Sequence, residues 1–324
     1  MKVLSADETS KVLPFQELTL SIAAAAREVA AGALNAPERL VLEIDNASSL
    51  LCMPAVGADI GIAKLVTVHT RNSEKGRPAI QGEVVVFDAA TGERLLLLDG
   101  PTVTARRTAA VTLLGINTLA PKLPKSALLI GTGAQALTHA DALVEYFKIG
   151  TLVVAAIDLP HAQAFADELG RRHPGVAVRP VSASQLDPKG AGTDVVIALT
   201  TASHPIVPPD LPEDTLAIGV GAYRPDMAEL PPELLHRRQV VVDYRIGAEK
   251  EAGDLLQANV RWSEVIELSE LLDDPGRASA GPFVFKTVGH ASWDLAAARV
   301  AMATLHARAS VPLGRAETAR SEAG

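Results

Sequence analysis

A short apolar run that turns directly into glycines is the feature that most restricts the fold of this chain. The run Ser126–Ile130 is followed by Gly131-Thr132-Gly133-Ala134-Gln135-Ala136 and by helical spacing up to Tyr146. In such a unit the first glycine allows a tight turn and the second lets the backbone approach a phosphate, while a small third residue lets helix and strand pack closely. Unpaired N–H groups at the helix start favour an anion. The pattern predicts a dinucleotide-binding unit, although an ordinary strand–turn–helix connection has the same outline.

Strand-like and helix-like segments alternate after this unit. Strands are predicted at 126–130, 151–157, 176–180, 194–200, 215–220 and 239–243, and they are apolar nearly throughout. Strands of this kind indicate a parallel sheet that is covered on both faces. The same pattern predicts helices at 253–259 and 262–271, a strand at 283–288, and a last helix from Ser292 to His306.

The first part of the chain has a different pattern. It predicts helices at 18–33 and 104–119, the second with Thr104 as its N-cap, and strands at 40–44, 61–69, 82–87 and 94–99. The turn Asp88–Gly92 makes the last two strands a hairpin. We therefore predict an α/β protein with a Rossmann-type doubly wound parallel sheet at 121–289. A smaller α+β substrate and dimerisation domain is predicted from residues 1–120 with 290–324.

Composition excludes several classes of protein. The formal net charge is −8 and the pI is near 5.5, without a basic stripe, so nucleic acid is not an expected partner. No window reaches 18 uninterrupted apolar residues, so no membrane association is expected. The single cysteine, Cys52, lies among apolar residues and is predicted to be a buried, inert thiol. Asp7 and Glu8 interrupt any signal-peptide core, so the cytoplasm is the expected location.

Polar and small residues follow several predicted strands. Asp158 lies 22 residues after Ala136, where an acid binds the adenosine ribose and favours NAD over NADP by repelling a 2′-phosphate. An ordinary turn before Pro160 is an equally good interpretation of Asp158. The ends of the fourth and fifth strands carry hydroxyl and glycine residues that suit the binding of a nicotinamide ribose. The same residues are equally typical of ordinary turns. These residues are Thr200, Thr201, Ser203, Gly219 and Gly221.

Three basic residues stand in apolar surroundings in the first part of the chain: Arg39, Lys64 and Arg107. A lysine that faces inward from a strand needs an anion or a function. From the residues alone, an outward position is favoured for Lys64, and a solvated helix face is favoured for Arg107. The histidines show no metal-ligand spacing and no HExxH or CxxC pattern occurs, so no metal site is predicted.

A series of motifs, taken together, resembles the ornithine cyclodeaminase/μ-crystallin family over about residues 35–305. In order they are Lys64-Leu65-Val66, Gly82, Asp88–Gly92, Leu98–Ala110, Ile130–Ala136, Val220-Gly221-Ala222, Glu229-Leu230 and Ser292–Ala297. The resemblance implies a homodimer built through the first domain, with sheets that pair across the subunits.

One segment of the chain departs from the cyclodeaminase members of that family. Within Gly221–Leu230, Tyr223 stands where those enzymes have a catalytic aspartate, and Met227 stands where they have a lysine. The segment is instead similar to the ketimine reductase branch. This branch includes μ-crystallin and the reductases of Δ1-pyrroline-2-carboxylate and Δ1-piperideine-2-carboxylate.

The resemblance also implies a chemistry and a set of roles. NADH or NADPH would reduce a cyclic ketimine carboxylate to L-proline or L-pipecolate. The implied catalytic residues are Lys64 and Asp294, and the implied substrate-binding residues are Arg39, Met53, Arg107 and Tyr223. The implied cofactor-binding residues are Thr108, Gly131, Thr132, Gly133, Ala134, Gln135, Asp158, Thr200, Thr201, Gly219 and Gly221. The alternatives are an alanine-type amino-acid dehydrogenase, an ornithine cyclodeaminase, and a non-enzymatic ligand-binding protein of the crystallin type.

Overall fold

Two β-sheets with helices packed around them form the protein in a computed structural model that describes residues 1–69, 71–72, 76–187, 189–278 and 281–309. The helices are α1 (Ala6–Lys11), α2 (Phe15–Ala30), α3 (Gly100–Leu119), α4 (Ala134–Phe147), α5 (Leu159–Arg172), α6 (Pro232–Arg237), α7 (Arg245–Glu251), α8 (Gly253–Gln257), α9 (Ser269–Leu272), α10 (Pro275–Ala278) and α11 (Ala291–Ala309). In the described residues, no helix is long and apolar enough to span a bilayer.

The first sheet is built mainly from neighbours in sequence. Its strands are β1 (Lys2–Val3), β2 (Leu40–Asp45), β3 (Ser48–Val56), β4 (Ile60–His69), β5 (Ile80–Asp88) and β6 (Arg94–Asp99). Their spatial order is β1-β6-β5-β4-β3-β2, and every pair is antiparallel except β1 with β6. β3 was absent from the sequence prediction, and it makes Cys52 half-buried rather than buried.

The second sheet is parallel throughout. Its strands are β7 (Ser126–Ile130), β8 (Thr151–Ala156), β9 (Ala177–Ser182), β10 (Val195–Ala198), β11 (Leu216–Gly219), β12 (Gln239–Val242), β13 (Ile266–Glu267) and β14 (Phe283–Lys286). The spatial order is β9-β8-β7-β10-β11-β14-β12-β13, so the strand order reverses at β7, as in dinucleotide-binding sheets. The predicted α/β class with a Rossmann-type sheet is confirmed.

Helix α3 lies between the two sheets. It packs against β4 and β5 of the first sheet and against α4 and β11 beside the second. A Cβ atom at Gly115 would lie 2.5 Å from the ring of Phe285 on β14, so this helix and the second sheet are in close contact. One apolar core is continuous through both regions. The division of the chain into one domain of residues 1–120 with 290–324 and a second of residues 121–289 stays a prediction. The part of the first domain after Ala309 lies outside the described residues.

Three local predictions were wrong. Helix α3 begins at Gly100, because Asp99 accepts hydrogen bonds from the backbone N and the hydroxyl of Thr102; Thr104 is therefore not the cap. The segment 262–271 is not one helix, since β13 interrupts it by pairing with β12. Ser292 lies inside α11, where its hydroxyl bonds the ring of His290 instead of capping the helix.

Candidate active site

Three charged side chains from three elements meet between the two sheets. Lys64 lies on β4, Arg107 on α3 and Asp294 on α11. The Nζ atom of Lys64 is 2.7 Å from Oδ2 of Asp294, and Nε of Arg107 donates to Oδ1 of the same carboxylate at 3.2 Å. The side chain of Lys64 is 2% exposed and that of Asp294 is 0% exposed. Two cations against one carboxylate leave the ionised cluster with a net charge of about +1, which suits an anionic ligand.

The inward orientation of Lys64 follows from strand alternation. Ile62, Lys64 and Val66 share the buried face of β4, whereas Leu65 is largely exposed on the other face. The prediction of an outward lysine was wrong because its partner, Asp294, comes from the far end of the chain. The solvated position favoured for Arg107 was also wrong, since α3 is buried on most of its surface.

Burial changes the acidity of Lys64. The pKa of Lys64 is lowered to about 8, mainly by desolvation and partly by the charge of Arg107, while Asp294 opposes the decrease. A lysine with this pKa is mostly protonated at neutral pH and can give up its proton more readily than an exposed lysine. The cluster therefore holds a proton donor beside a cationic anchor.

The loop after β14 closes over the guanidinium of Arg107. A Cβ atom at Gly289 would lie 2.7 Å from Nη1 of Arg107, and Gly289 has a φ of +82°, so the position favours glycine. The loop is fixed by the buried carboxylate of Asp243. That carboxylate accepts from Thr287 Oγ1 at 2.7 Å and from the N atoms of Val288 and Gly289 at 3.0 Å. Sequence reasoning missed Asp243, whose only signal is its position directly after a strand.

Arg39 and Met53 border the same cluster. Nη2 of Arg39 donates to the carbonyl of Val288 at 2.9 Å and pairs with Glu251 at 2.7 Å. Met53 is buried opposite Lys64 in the β3–β4 register, and both Met53 and Arg39 line a small pocket. Tyr223 is half-buried in the loop after β11. Within the described residues, Tyr223 has no hydrogen bond or ring contact with the cluster.

His290 lies in the same pocket and was missed by the sequence analysis. Its Nε2 donates to the carbonyl of Ala36 at 3.0 Å, so its Nδ1 accepts from Ser292 Oγ at 2.6 Å. The ring stacks on Tyr244 at 4.0 Å between centroids. Burial lowers the pKa of His290, which keeps the ring neutral and makes it a structural rather than an acidic group.

The glycine-rich turn has the geometry that a pyrophosphate requires. Gly131 has a φ of +113°, and a Cβ atom there would lie 2.7 Å from the carbonyl oxygen of Leu199. Gly133 is the N-cap of α4, no side chain caps this helix, and a Cβ atom at Gly133 would meet no protein atom within 4 Å. The start of this helix therefore faces open space at Gly133 and has no side-chain cap, which fits a dinucleotide phosphate.

The other residues predicted to bind cofactor lie in several environments. Asp158 follows β8 and caps α5, accepting from the backbone N of His161 at 2.9 Å; a ribose role stays a prediction. Thr108 is buried in α3, and its hydroxyl donates to the carbonyl of Thr104 at 2.6 Å. Thr132, Ala134 and Gln135 surround the helix start, whereas Thr201 and Ser203 are exposed after β10 and Gly219 ends β11.

The order of strands links the two sites. The loops that follow neighbouring strands lie side by side along the carboxyl edge of the second sheet. In spatial order they contain Asp158 after β8, Gly131 after β7, Thr200 after β10, Gly221 after β11 and Gly289 after β14. The amide of Thr287 donates to the carbonyl of Gly219 at 3.1 Å, which joins the end of β11 to the loop that contacts Arg107. A dinucleotide that crosses this edge would therefore have one end beside the charged cluster.

Comparison with known protein families matches residues 1–308 to the ornithine cyclodeaminase/mu-crystallin family. The chain belongs to this family. The resemblance inferred from the motifs is thereby confirmed, and it extends beyond residues 35–305 at both ends. No group of three or more side chains that could hold a metal ion is found in the part of the chain that the structure describes.

Two curated relatives are similar over nearly their whole length. Δ1-pyrroline-2-carboxylate reductase 1 of Burkholderia multivorans is 40% identical over 311 residues, which cover 94% of this chain and 96% of the relative. The Δ1-pyrroline-2-carboxylate/Δ1-piperideine-2-carboxylate reductase of Azospirillum brasilense is 41% identical over 306 residues, with the same coverage of 94% and 96%.

A solved structure has the same fold. The Δ1-pyrroline-2-carboxylate reductase of Thermococcus litoralis, in complex with NADH and L-proline, superposes with a TM-score of 0.86 at 28% sequence identity. The match covers 95% of this chain and 98% of that chain.

Proposed function

We propose that this protein uses NADH or NADPH to reduce cyclic ketimine carboxylates, Δ1-pyrroline-2-carboxylate and Δ1-piperideine-2-carboxylate, to L-proline and L-pipecolate. The observation that carries the proposal is the buried cluster of Lys64, Arg107 and Asp294 at the end of the strand edge that holds the glycine-rich turn. The names of the relatives at 40% and 41% identity support the same reaction.

The cluster is suited to hold a carboxylate next to an imine. Nε of Arg107 donates to Asp294. The two terminal nitrogens of the guanidinium would therefore bind the substrate carboxylate with a pair of hydrogen bonds. Arg39, at the border of the pocket, pairs with Glu251 and would place a second guanidinium beside the substrate. The net charge of the cluster favours the anionic substrate over neutral analogues.

Lys64 would supply the proton that the reaction requires. The turn with Gly131 and Gly133 would hold the pyrophosphate of the cofactor, whose nicotinamide would supply the hydride for C2 of the ring. The ring nitrogen must also gain one proton, and Nζ of Lys64 would donate it, since the lowered pKa near 8 makes this transfer easier. Asp294 would hold Lys64 in place and stabilise its charged form.

Loss of NAD(P)H absorbance with each cyclic ketimine is the experiment that tests the proposal. Wild-type protein should consume the reduced cofactor, and Lys64→Met should be strongly impaired. Faster turnover of pyruvate with ammonia would instead indicate an alanine-type dehydrogenase. NADH binding without turnover of any substrate would indicate a ligand-binding protein.

Ornithine cyclodeamination is the alternative that the site supports least. Met227 is buried and has no hydrogen-bond donor, and a phenol at Tyr223 replaces the carboxylate of the cyclodeaminases. We expect no proline from L-ornithine with NAD⁺. Ammonia release from ornithine at a rate similar to ketimine reduction would contradict the proposed branch.

We also propose that two copies of the chain form a homodimer through β2. This strand is at the edge of the first sheet, and Leu40, Val41, Leu42 and Ile44 are between 49% and 55% exposed. An apolar edge strand with unpaired backbone groups is a surface that proteins normally cover. Sedimentation analysis should show a dimer that Leu42→Lys weakens and that Leu20→Lys, an exposed apolar position on α2, does not. A monomeric wild type would contradict this assembly.

A cytoplasmic location is the last part of the proposal. It rests on the single cysteine of the chain, which fits a reducing compartment. Cell fractionation with an antibody to the protein tests it, and recovery in a secreted fraction would contradict it.

A further inference from the structure

A buried glutamate joins the two loops that follow β10 and β11. Oε1 of Glu229 accepts from the backbone N of Thr200 at 2.6 Å and from its hydroxyl at 3.0 Å. Oε2 accepts from the backbone N of Gly221 at 2.7 Å and of Ala222 at 3.1 Å. Glu229 is 0% exposed, so four donors from two loops converge on one carboxylate away from water. Such charge-assisted bonds are the strong ones in proteins.

The two loops touch each other at backbone level. A Cβ atom at Gly221 would lie 1.9 Å from the carbonyl oxygen of Thr200, so no side chain is compatible with this approach. Glu229 therefore sets the spacing between the loops, and Gly221 permits it. Neither residue contacts the Lys64 cluster in the hydrogen bonds and ion pairs of the described residues.

A second layer of buried charge holds Glu229 itself. Asp254 accepts from the backbone N of Glu229 and from that of Leu230, the latter at 2.8 Å. Asp254 in turn pairs with Lys286 on β14 at 2.9 Å, and both side chains are 0% exposed. Burial raises the pKa of Glu229, and the charge of Lys286 opposes that increase. The amide donors on both oxygens favour the ionised form of the glutamate.

The position of the loops assigns them to one half of the cofactor. The turn at Gly131–Gly133 would hold the pyrophosphate, and the end of β8 lies on the adenosine side. The ends of β10 and β11 lie on the opposite side of that turn, toward the Lys64 cluster. We infer that Glu229 is a positioning residue for the nicotinamide half of the dinucleotide, acting through the loops at Thr200 and Gly221. This inference rests on the proposed function.

Comparison of a whole dinucleotide with its adenosine half tests the inference. Glu229→Gln keeps the size of the side chain but turns an NH₂ group toward backbone N–H donors. In calorimetric titrations of the full chain we expect Glu229→Gln to bind NADH on the order of 10- to 100-fold more weakly. Binding of ADP, which lacks the nicotinamide half, should be unchanged. Glu233→Gln, an exposed change on α6, is the matched control and should alter neither.

A milder variant keeps the test decisive if Glu229→Gln does not fold. Glu229→Asp keeps the negative charge on a shorter side chain, which cannot reach the donors of both loops at once. Weaker NADH binding in Glu229→Asp, with ADP binding unchanged, supports the inference. Equal weakening of NADH and ADP, or no change in either, overturns it, because Glu229 would then serve the fold only.

Failure of the proposed function gives a different result. A wild-type protein that binds NADH yet leaves both ketimines unreduced contradicts the proposed reaction and leaves the role of Glu229 intact. A wild-type protein that binds no NADH overturns both.

Discussion

Lys64 connects burial directly to a pH dependence. Because only the protonated lysine can donate, kcat should fall as the pH rises through about 8, the pKa of Lys64. Lys64→Met should lower kcat by about 10²- to 10⁴-fold, as expected for loss of a general acid, and should leave NADH affinity unchanged. Stopped-flow or steady-state kinetics across pH measures this. A rate that stays flat up to pH 10.5, the ordinary pKa of lysine, would exclude Lys64 as the donor.

The same pKa has a consequence for stability, with a defined sign. The folded-state pKa lies below the unfolded value of 10.5, so between about pH 8 and 10.5 the unfolded chain binds more protons at Lys64. Below pH 8, the buried charge of Lys64 therefore lowers the free energy of unfolding. This destabilisation decreases as the pH rises through the window, so the folded protein becomes more stable.

Arg107 should be important for the substrate rather than for the cofactor. Its removal takes away a buried partner of a carboxylate. Such a loss typically costs about 2–5 kcal/mol of binding free energy, or about 30- to 5,000-fold in affinity. Arg107→Ala should lose kcat/KM for the ketimine by a factor in this range while NADH binding persists. Arg107→Lys keeps the positive charge but loses the paired donors of the guanidinium, so its kcat/KM should lie between those of the wild type and Arg107→Ala. Near wild-type efficiency in Arg107→Ala would remove the residue from the site.

At the scale of residues, the prediction succeeded where a motif constrained the backbone. Gly131 has the positive φ that the predicted tight turn requires, because this requirement is local, whereas the approach of a phosphate to Gly133 stays a prediction. The environment of Lys64 was predicted wrongly from its immediate neighbours, since its compensating charge is supplied by α11. Glu229 was visible only as part of a family motif, because a local pattern does not show that two separate loops converge on its carboxylate.

At the scale of elements, the start of α3 gives a measurable effect. Asp99 caps this helix through the backbone N of Thr102, so Asp99→Ala should lower the free energy of unfolding by about 1 kcal/mol. Thr104→Ala, at the position first predicted as the cap, should cost less. Urea unfolding of both variants measures the difference. Equal losses would mean that the helix does not depend on this cap.

Elements with strong periodicity were predicted within a few residues, and elements held by tertiary pairing were not. β3 contains Pro54 and has a half-buried face, so its sequence gives a weak strand pattern, and pairing with β2 and β4 stabilises it. The two residues of β13 have helical-looking neighbours, yet their backbone pairs with β12. Such pairings depend on strands elsewhere in the chain, which local patterns do not contain.

At the scale of the whole molecule, cofactor binding should stabilise the fold. NADH at about 100 times its Kd would add about 2.7 kcal/mol to the free energy of unfolding, so Tm should rise. Gly133→Val should abolish this rise, because a side chain would enter the open space at the start of α4. Thermal unfolding with and without NADH measures both. An unchanged rise in Gly133→Val would contradict the location of the pyrophosphate site.

The alternation of strands and helices was sufficient to predict a parallel sheet, but it did not predict the spatial order of the strands. β14 is inserted between β11 and β12, although it is the last strand in the chain. This arrangement sets an order for events during synthesis. Until residues 283–286 have left the ribosome, β11 and β12 each lack a neighbour on the side that β14 will occupy. Asp294 follows within the next helix, so its cluster with Lys64 and Arg107 can form only after every strand of this sheet has been synthesised.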